Sequence, residues 1–142
     1  MITLEIVTIT GLKLSKEVYE VMVPTENGLI AVFQNHDDLI SKVKPGVLSY
    51  RKLQDDPEDN LEHLAVQEGL VIVEKHRVRL LVDEALEPDE IVQEEVQQAL
   101  ERAKQAKLNA KTDTDIAFAE NLLAQQQVKL KVADIKRRKR KV

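Results

Sequence analysis

Near Glu87-Pro88 the apolar residues of this chain change their spacing, and they change it once. Before that point, short runs rich in β-branched residues occupy 3–9, 18–23, 29–33, 46–52, 61–66, 70–73 and 78–82. Gly11, Pro24, Asn27-Gly28, Pro45-Gly46, the acidic stretch 55–60 and Lys75-His76 separate them. Short strands at roughly 8–12-residue spacing indicate an all-β sandwich or barrel. Within 18–23, Tyr19, Val21 and Val23 fall on one side and Glu20 on the other, as in a half-buried strand. The run Leu70-Val71-Ile72-Val73 is apolar on both faces, which predicts a central strand. The 55–60 stretch cannot bury its charges and is expected at a solvated hairpin tip. About 85 residues suffice for one small core that hides roughly 60% of the unfolded chain's surface.

After Pro88 the period is helical. Pro at a first helical position costs nothing, because its missing N–H would have been unbonded there. Asp89 and Glu90 follow, favouring the positive end of a helix dipole. Val92, Val96, Ala99, Ala103, Ala106 and Ala110 recur at spacings of four and three, giving one apolar stripe. The segment 111–115 interrupts it, with Thr112 or Asp113 able to cap a second helix. That helix presents Ile116, Ala119, Leu123, Leu130 and Ala133 on one face. A short connection makes the two helices antiparallel neighbours. The chain therefore reads as a β-sandwich over 1–86 and a two-helix hairpin over 87–142. The hairpin seam is thin, since each alanine offers little more than one methyl, about 0.8 kcal/mol when buried. High helix propensity lets such an element undock whole rather than melt.

The same residues exclude several function classes. There is no cysteine, hence no disulfide, thiolate metal site or cysteine nucleophile. His36, His63 and His76 are scattered without metal-ligand spacing. Ser15, Ser41 and Ser49 have no nucleophile pattern around them, and four glycines spread over the chain make no phosphate loop. No enzymatic site, cofactor or metal is expected. No run approaches the ~18 apolar residues of a membrane helix. The opening residues 1–6 resemble neither a signal nor a transit peptide, so a cytoplasmic protein is the expectation.

Charge is unevenly placed. Residues 1–86 carry 9 Lys or Arg against 15 Asp or Glu, whereas 87–142 carry 12 against 10. The basic excess is a run: Lys136, Arg137, Arg138, Lys139, Arg140 and Lys141. Three readings fit it: a solvated helix end, docking onto an acidic protein surface, or binding to nucleic acid or anionic lipid. Stacking aromatics or a basic groove would accompany nucleic-acid binding, and neither is present, so no nucleic-acid partner is expected. His36, Gly28 and Pro45-Gly46 are, taken singly, turn residues.

Taken together, the loop residues carry a resemblance. The stretch Gly28-Leu29-Ile30-Ala31-Val32-Phe33-Gln34-Asn35-His36-Asp37-Asp38-Leu39, continued through Lys44-Pro45-Gly46, is similar to the signature of the ATP synthase ε subunit family, with Gly28, His36, Leu39, Lys44, Pro45 and Gly46 in register. The block 64–73 resembles a second family segment, and 78–85 resembles the end of its sandwich. The resemblance implies a sandwich of about ten strands followed by two antiparallel helices, in a non-catalytic rotor subunit peripheral to the cytoplasmic face of the bacterial membrane. It implies γ, the polar loops of the c-ring and an acidic loop of the catalytic β subunits in the α/β head as partners. Gly28, Leu29, Ile30, His36, Asp37 and Asp38 become the candidate c-ring and γ contact loop. Val92, Val96, Ala99, Ala103, Ala106, Ile116, Leu123 and Leu130 become the hairpin packing, and Lys136–Lys141 a tail that biases the hairpin and restrains ATP hydrolysis.

Departures from the pattern are specific. Leu29 stands where the family often has glutamate, Gln34-Asn35 where it has Pro-Gly, Asp37-Asp38 where it has Ala-Pro, and Glu68 where it has the first of two glycines. Some members bind ATP through a motif whose acid and arginine are here Val92 and Glu95. A reversed charge at the arginine position repels phosphates, so no tight ATP site is expected. The alternative to a rotor subunit is a free-standing adaptor, a sandwich with a helical hairpin that binds an acidic partner.

Overall fold

A computed structural model describes residues Met1–Arg140. The chain divides into two compact units, one of Met1–Ala85 and one beginning at Leu86.

The first unit is built of strands β1 (Ile2–Thr8), β2 (Gly11–Val18), β3 (Glu20–Thr25), β4 (Gly28–Val32), β5 (Leu39–Val43), β6 (Gly46–Arg51), β7 (Glu62–Val66), β8 (Gly69–Val73) and β9 (Arg77–Val82), with β10 (Ala85–Leu86) closing the series. They form two five-stranded layers, β4-β3-β6-β7-β10 and β5-β8-β9-β1-β2, joined through the single pairing of Thr25 with Val43. β1 and β9 run parallel, in register from Thr3↔Arg77 to Val7↔Leu81. Alternation along the strands sends Leu4, Ile6, Val21, Val23, Leu48, Leu64, Val71 and Leu80 into one core between the layers. Aromatics being few, that core is almost entirely aliphatic, as a chain this poor in Phe and Trp requires.

Three strands were not among the apolar runs of the sequence. β2 carries Lys13, Ser15, Lys16 and Glu17 and buries only Leu14 and Val18. Such charges suit an edge strand, where they discourage pairing with another chain. β5 has only Leu39, Ile40 and Val43 as apolar residues, and β10 is two residues long. The run 18–23 also breaks where continuous alternation was expected. β2 ends at Val18 and β3 begins at Glu20, so Tyr19 sits in the corner and meets Phe33 edge-on, centroids 5.6 Å apart. Glycine is required at position 69, where an added Cβ would lie 2.0 Å from the Leu81 carbonyl oxygen of the neighbouring strand.

In the second unit, Pro88 opens a 3₁₀ turn rather than the α-helix. Pro88–Glu90 is closed by a capping box in which the Glu87 N–H donates to the Glu90 carboxylate at 3.0 Å. Helix α1 then runs Gln93–Asn109 and α2 runs Asp113–Arg140. Of the two candidate caps, Thr112 is the one used: the Asp115 N–H donates to its hydroxyl at 3.1 Å.

Candidate functional site

The outward face of the β5-β8-β9-β1-β2 layer carries one largely apolar row. Strand register aligns Lys42, Leu70, Leu81, Val7 and Leu12 in one row across all five strands. The adjacent row holds Ile40, Ile72, Arg79, Glu5 and Ser15. Leu12, Ile40, Leu70 and Leu81 are exposed, and Val7 and Ile72 half-buried. The Arg79 guanidinium pairs with the Glu5 carboxylate at 3.1 Å, which seats a satisfied ion pair beside the apolar row. A contiguous apolar patch with a polar margin marks a surface that works by contact with another molecule. The sequence predicted 70–73 as a central strand, and β8 is paired on both sides. Its outer face, however, is open to solvent. The double-sided apolar run was the available signal, and burial was only one of its two meanings.

The candidate contact loop is not one surface. The connections after β1, β3, β5, β7 and β9 gather at one end of the sandwich, tied by bonds such as Glu26 N–H to the Lys42 carbonyl and Asp83 N–H to the Glu68 carbonyl. Gly28 and Leu29 lie there, beside a recess of about 520 Å³ lined by Glu26, Lys42, Lys44, Glu68 and Asp83 among others. His36, Asp37 and Asp38 lie at the opposite end, where the Asn35 N–H donates to the Lys75 carbonyl at 2.7 Å. Five residues of β4 at about 3.3 Å each hold the two groups roughly 15 Å apart. Ile30 points between them, half-buried and packed against the core. Adjacency in sequence suggested a single patch; an intervening strand separates it into two. The His36 ring bonds to the Asp37 carbonyl at 2.7 Å, as a turn residue does.

The hairpin uses part of its expected stripe. Val96, Ala103 and Ala119 are buried, and Ala99, Ile116, Leu123 and Leu130 half-buried. Val92 and Ala106 are corrections. Val92 is 52% exposed because α1 starts after it and its own backbone is extended, at φ −93° and ψ 106°. Ala106 is exposed although helical spacing places it on the same face as Ala99. Val132, fully buried, was missed because the stripe was drawn through Leu130 and Ala133. The Lys107 ammonium and Glu120 carboxylate bridge the two helices at 3.6 Å.

The basic run begins inside the hairpin. Lys136 pairs with Asp89 of the 3₁₀ turn, and Arg137 with Asp134 one turn earlier, at 3.0 Å. Arg138 is exposed, Lys139 and Arg140 belong to α2, and Lys141 lies outside the described residues. A second recess, of about 260 Å³, is lined by Glu90, Val92, Glu95, Arg102, Gln126 and Lys129 among others. Among the described residues no group of His, Asp and Glu is placed to hold a metal ion, and no helix is long and apolar enough to cross a membrane.

A small sandwich with an open apolar face and a thinly packed helical hairpin defines a docking subunit, a protein that acts through what it binds. Residues 1–88 match the family model of the ATP synthase delta/epsilon chain β-sandwich domain. The ATP synthase epsilon chain of Herpetosiphon aurantiacus is 34% identical over 136 residues, covering 96% of each chain. That of Chloroflexus aggregans is 33% identical over 140 residues, 99% of this chain and 97% of its own. Among solved structures, a chain of the Euglena gracilis mitochondrial ATP synthase superposes with a TM-score of 0.76 at 21% identity, covering 93% of this chain and 80% of that one. A chain of the Tetrahymena thermophila enzyme's central stalk and c-ring gives 0.61 at 14%, covering 93% and 96%. These two likenesses concern the fold. The chain belongs to the family of ATP synthase epsilon chains, non-catalytic subunits of that enzyme.

Proposed function

We propose that this chain turns with the rotor of a proton-translocating ATP synthase, ties the c-ring to the catalytic head, and restrains ATP hydrolysis through its helices. It does so from the cytoplasmic face of the bacterial membrane, held there by the complex. Beyond family membership, the observation that carries this reading is the apolar row Leu70, Leu81, Val7 and Leu12 on one outward sheet face. We assign γ to that face. The end bearing Gly28 and Leu29, with Lys44, Glu68 and Asp83 nearby, suits the polar loops of the ring. His36, Asp37 and Asp38, at the other end, are then left to γ.

The hairpin is the two-state element. In its closed form Lys136 is held by Asp89, so an acidic loop of a catalytic β subunit competes with Asp89 for the start of the basic run. Exposed ion pairs contribute about 0–1 kcal/mol each. Reversing a 1:99 ratio to 99:1 takes about 5.5 kcal/mol. Several of the cations 136–141 must therefore act together, in a cleft that excludes some water. No nucleotide is needed: a phosphate chain in the recess beside α1 would meet Glu90 and Glu95.

The test is reconstitution with γ, the head and the ring, with hydrolysis read at low ATP. Removing residues 136–142 deletes the cations and is expected to raise the rate. Asp89→Asn keeps them but frees Lys136, and is expected to lower it. A rate unmoved by both changes removes the tail from the mechanism. Failure to co-purify with γ at moderate salt overturns the rotor placement itself.

A further inference from the structure

Asn27-Gly28, at the tip of the β3–β4 hairpin, is the one place where an asparagine of this chain precedes a glycine; Asn35, Asn60, Asn109 and Asn121 are followed by His36, Leu61, Ala110 and Leu122. Glu26, Asn27 and Gly28 are all exposed. The Asn27 side-chain amide makes no bond among the described residues, so nothing anchors it away from the backbone that follows. Apart from its two chain neighbours, no residue places a heavy atom within 4 Å of where a Gly28 Cβ would be, so the approach to its nitrogen is not obstructed from elsewhere in the fold. The buried Thr25 hydroxyl holds the turn, accepting from the Asn27 N–H at 3.3 Å and donating to the Gly28 carbonyl at 2.6 Å.

We infer that Asn27 is a site of spontaneous deamidation, a modification that adds a second negative charge to the hairpin tip, beside Glu26, as the protein ages. The Gly28 backbone nitrogen forms a bond to Asn27 Cγ, and the side-chain nitrogen leaves as ammonia, carrying the proton that the backbone nitrogen gave up to solvent. The resulting five-membered imide takes up one water and opens at either carbonyl, leaving aspartate or isoaspartate. Only glycine lets the backbone nitrogen be approached without a side chain in the way, which singles out this asparagine among the five. Exposed loop tips are also where such chemistry meets the least resistance from the fold.

The isoaspartyl product has wider consequences than the charge. It inserts a methylene into the main chain between the two atoms that Thr25 bridges, so both hydroxyl bonds cannot survive it. The new carboxylate joins Glu26 at the tip, on the end of the sandwich that also carries Glu68 and Asp83. If that end meets the ring loops, as proposed above, the modification alters that contact; the chemistry itself does not depend on that assignment.

The full chain is incubated folded, and in parallel in denaturant, at mildly alkaline pH and physiological temperature. Peptide mapping by mass spectrometry locates the amide-to-acid mass gain, and enzymatic methylation with a labelled methyl donor counts isoaspartate. In the folded chain the gain is expected at Asn27 ahead of the other four. Gly28→Ala is expected to slow it by about tenfold, because the added methyl obstructs the nitrogen. Since Gly28 has φ +109° and alanine strains that turn, a second variant is needed. Thr25→Val removes the hydroxyl tether while keeping a strand former, and is expected to speed conversion severalfold. A folded chain whose Asn27 stays unmodified while the denatured chain converts overturns the inference, as does conversion no faster than at Asn35.

Discussion

Replacing Leu12, Leu70 and Leu81 together by serine tests the assignment of γ to the outer sheet face. The three side chains are 65%, 41% and 39% exposed in the free chain, so a covering partner would hide the equivalent of about one and a half whole leucines. At about 2 kcal/mol per fully buried leucine, that is ~3 kcal/mol of association free energy. Since every 1.4 kcal/mol is tenfold, the Kd for γ should rise roughly 100-fold. The substitutions also weaken the fold, because Leu70 and Leu81 are more than half covered by the sandwich itself, so binding is compared only where the variant remains folded. The assay is isothermal titration of isolated γ at moderate salt, with circular dichroism to confirm the fold. Binding should also show a less negative heat-capacity change in the variant, as less apolar surface is covered. Leu53→Ser is the control, since Leu53 is equally open but lies beyond β6 in the other layer. A folded triple variant that binds γ within about threefold of the parent, or a control that loses as much, refutes the assignment.

Gly69→Ala should destabilise the sandwich strongly, by at least the 1–3 kcal/mol that overpacking usually costs, because the new methyl would sit 2.0 Å from the Leu81 carbonyl oxygen; denaturant titration at unchanged m-value reads it. ATP added to the isolated chain should leave its melting temperature where it was, because a ligand stabilises a fold only as far as it binds it. A rise that grows with ATP concentration would show that Arg102 and Lys129 outweigh Glu90 and Glu95 in the recess beside α1.

The sequence made the fold class legible because two periods of apolar spacing are hard to confuse. Seven of the strands had enough Val, Ile and Leu to be seen one by one. β2, β5 and β10 did not, and they are fixed by partners distant in sequence: β5 by β8, β2 by β1. Helix type was clear from 88 onward, yet its start shifted to Gln93 because Pro88 satisfies a 3₁₀ turn as well as an α-helix. The candidate surfaces were less legible. Gly28 and His36 are eight positions apart along the chain, and only the fold shows that a strand divides them. The apolar row of Leu12, Leu70, Leu81 and Val7 draws on four strands, so it exists only once register is known. Likewise, the pairing of Asp89 with Lys136 joins positions far apart in the chain, brought together by two antiparallel helices.

The alanine seam between α1 and α2 has a thermal consequence. The heat capacity of a conformational change follows the apolar area it uncovers. A seam whose buried side chains are Val96, Ala103, Ala119 and Val132 uncovers less than a leucine-packed one when it parts. The enthalpy and entropy of opening are then nearly constant with temperature. In the proposed opening, the logarithm of the closed-to-open ratio is then expected to run nearly straight against inverse temperature, where a leucine-packed hairpin would give a curve.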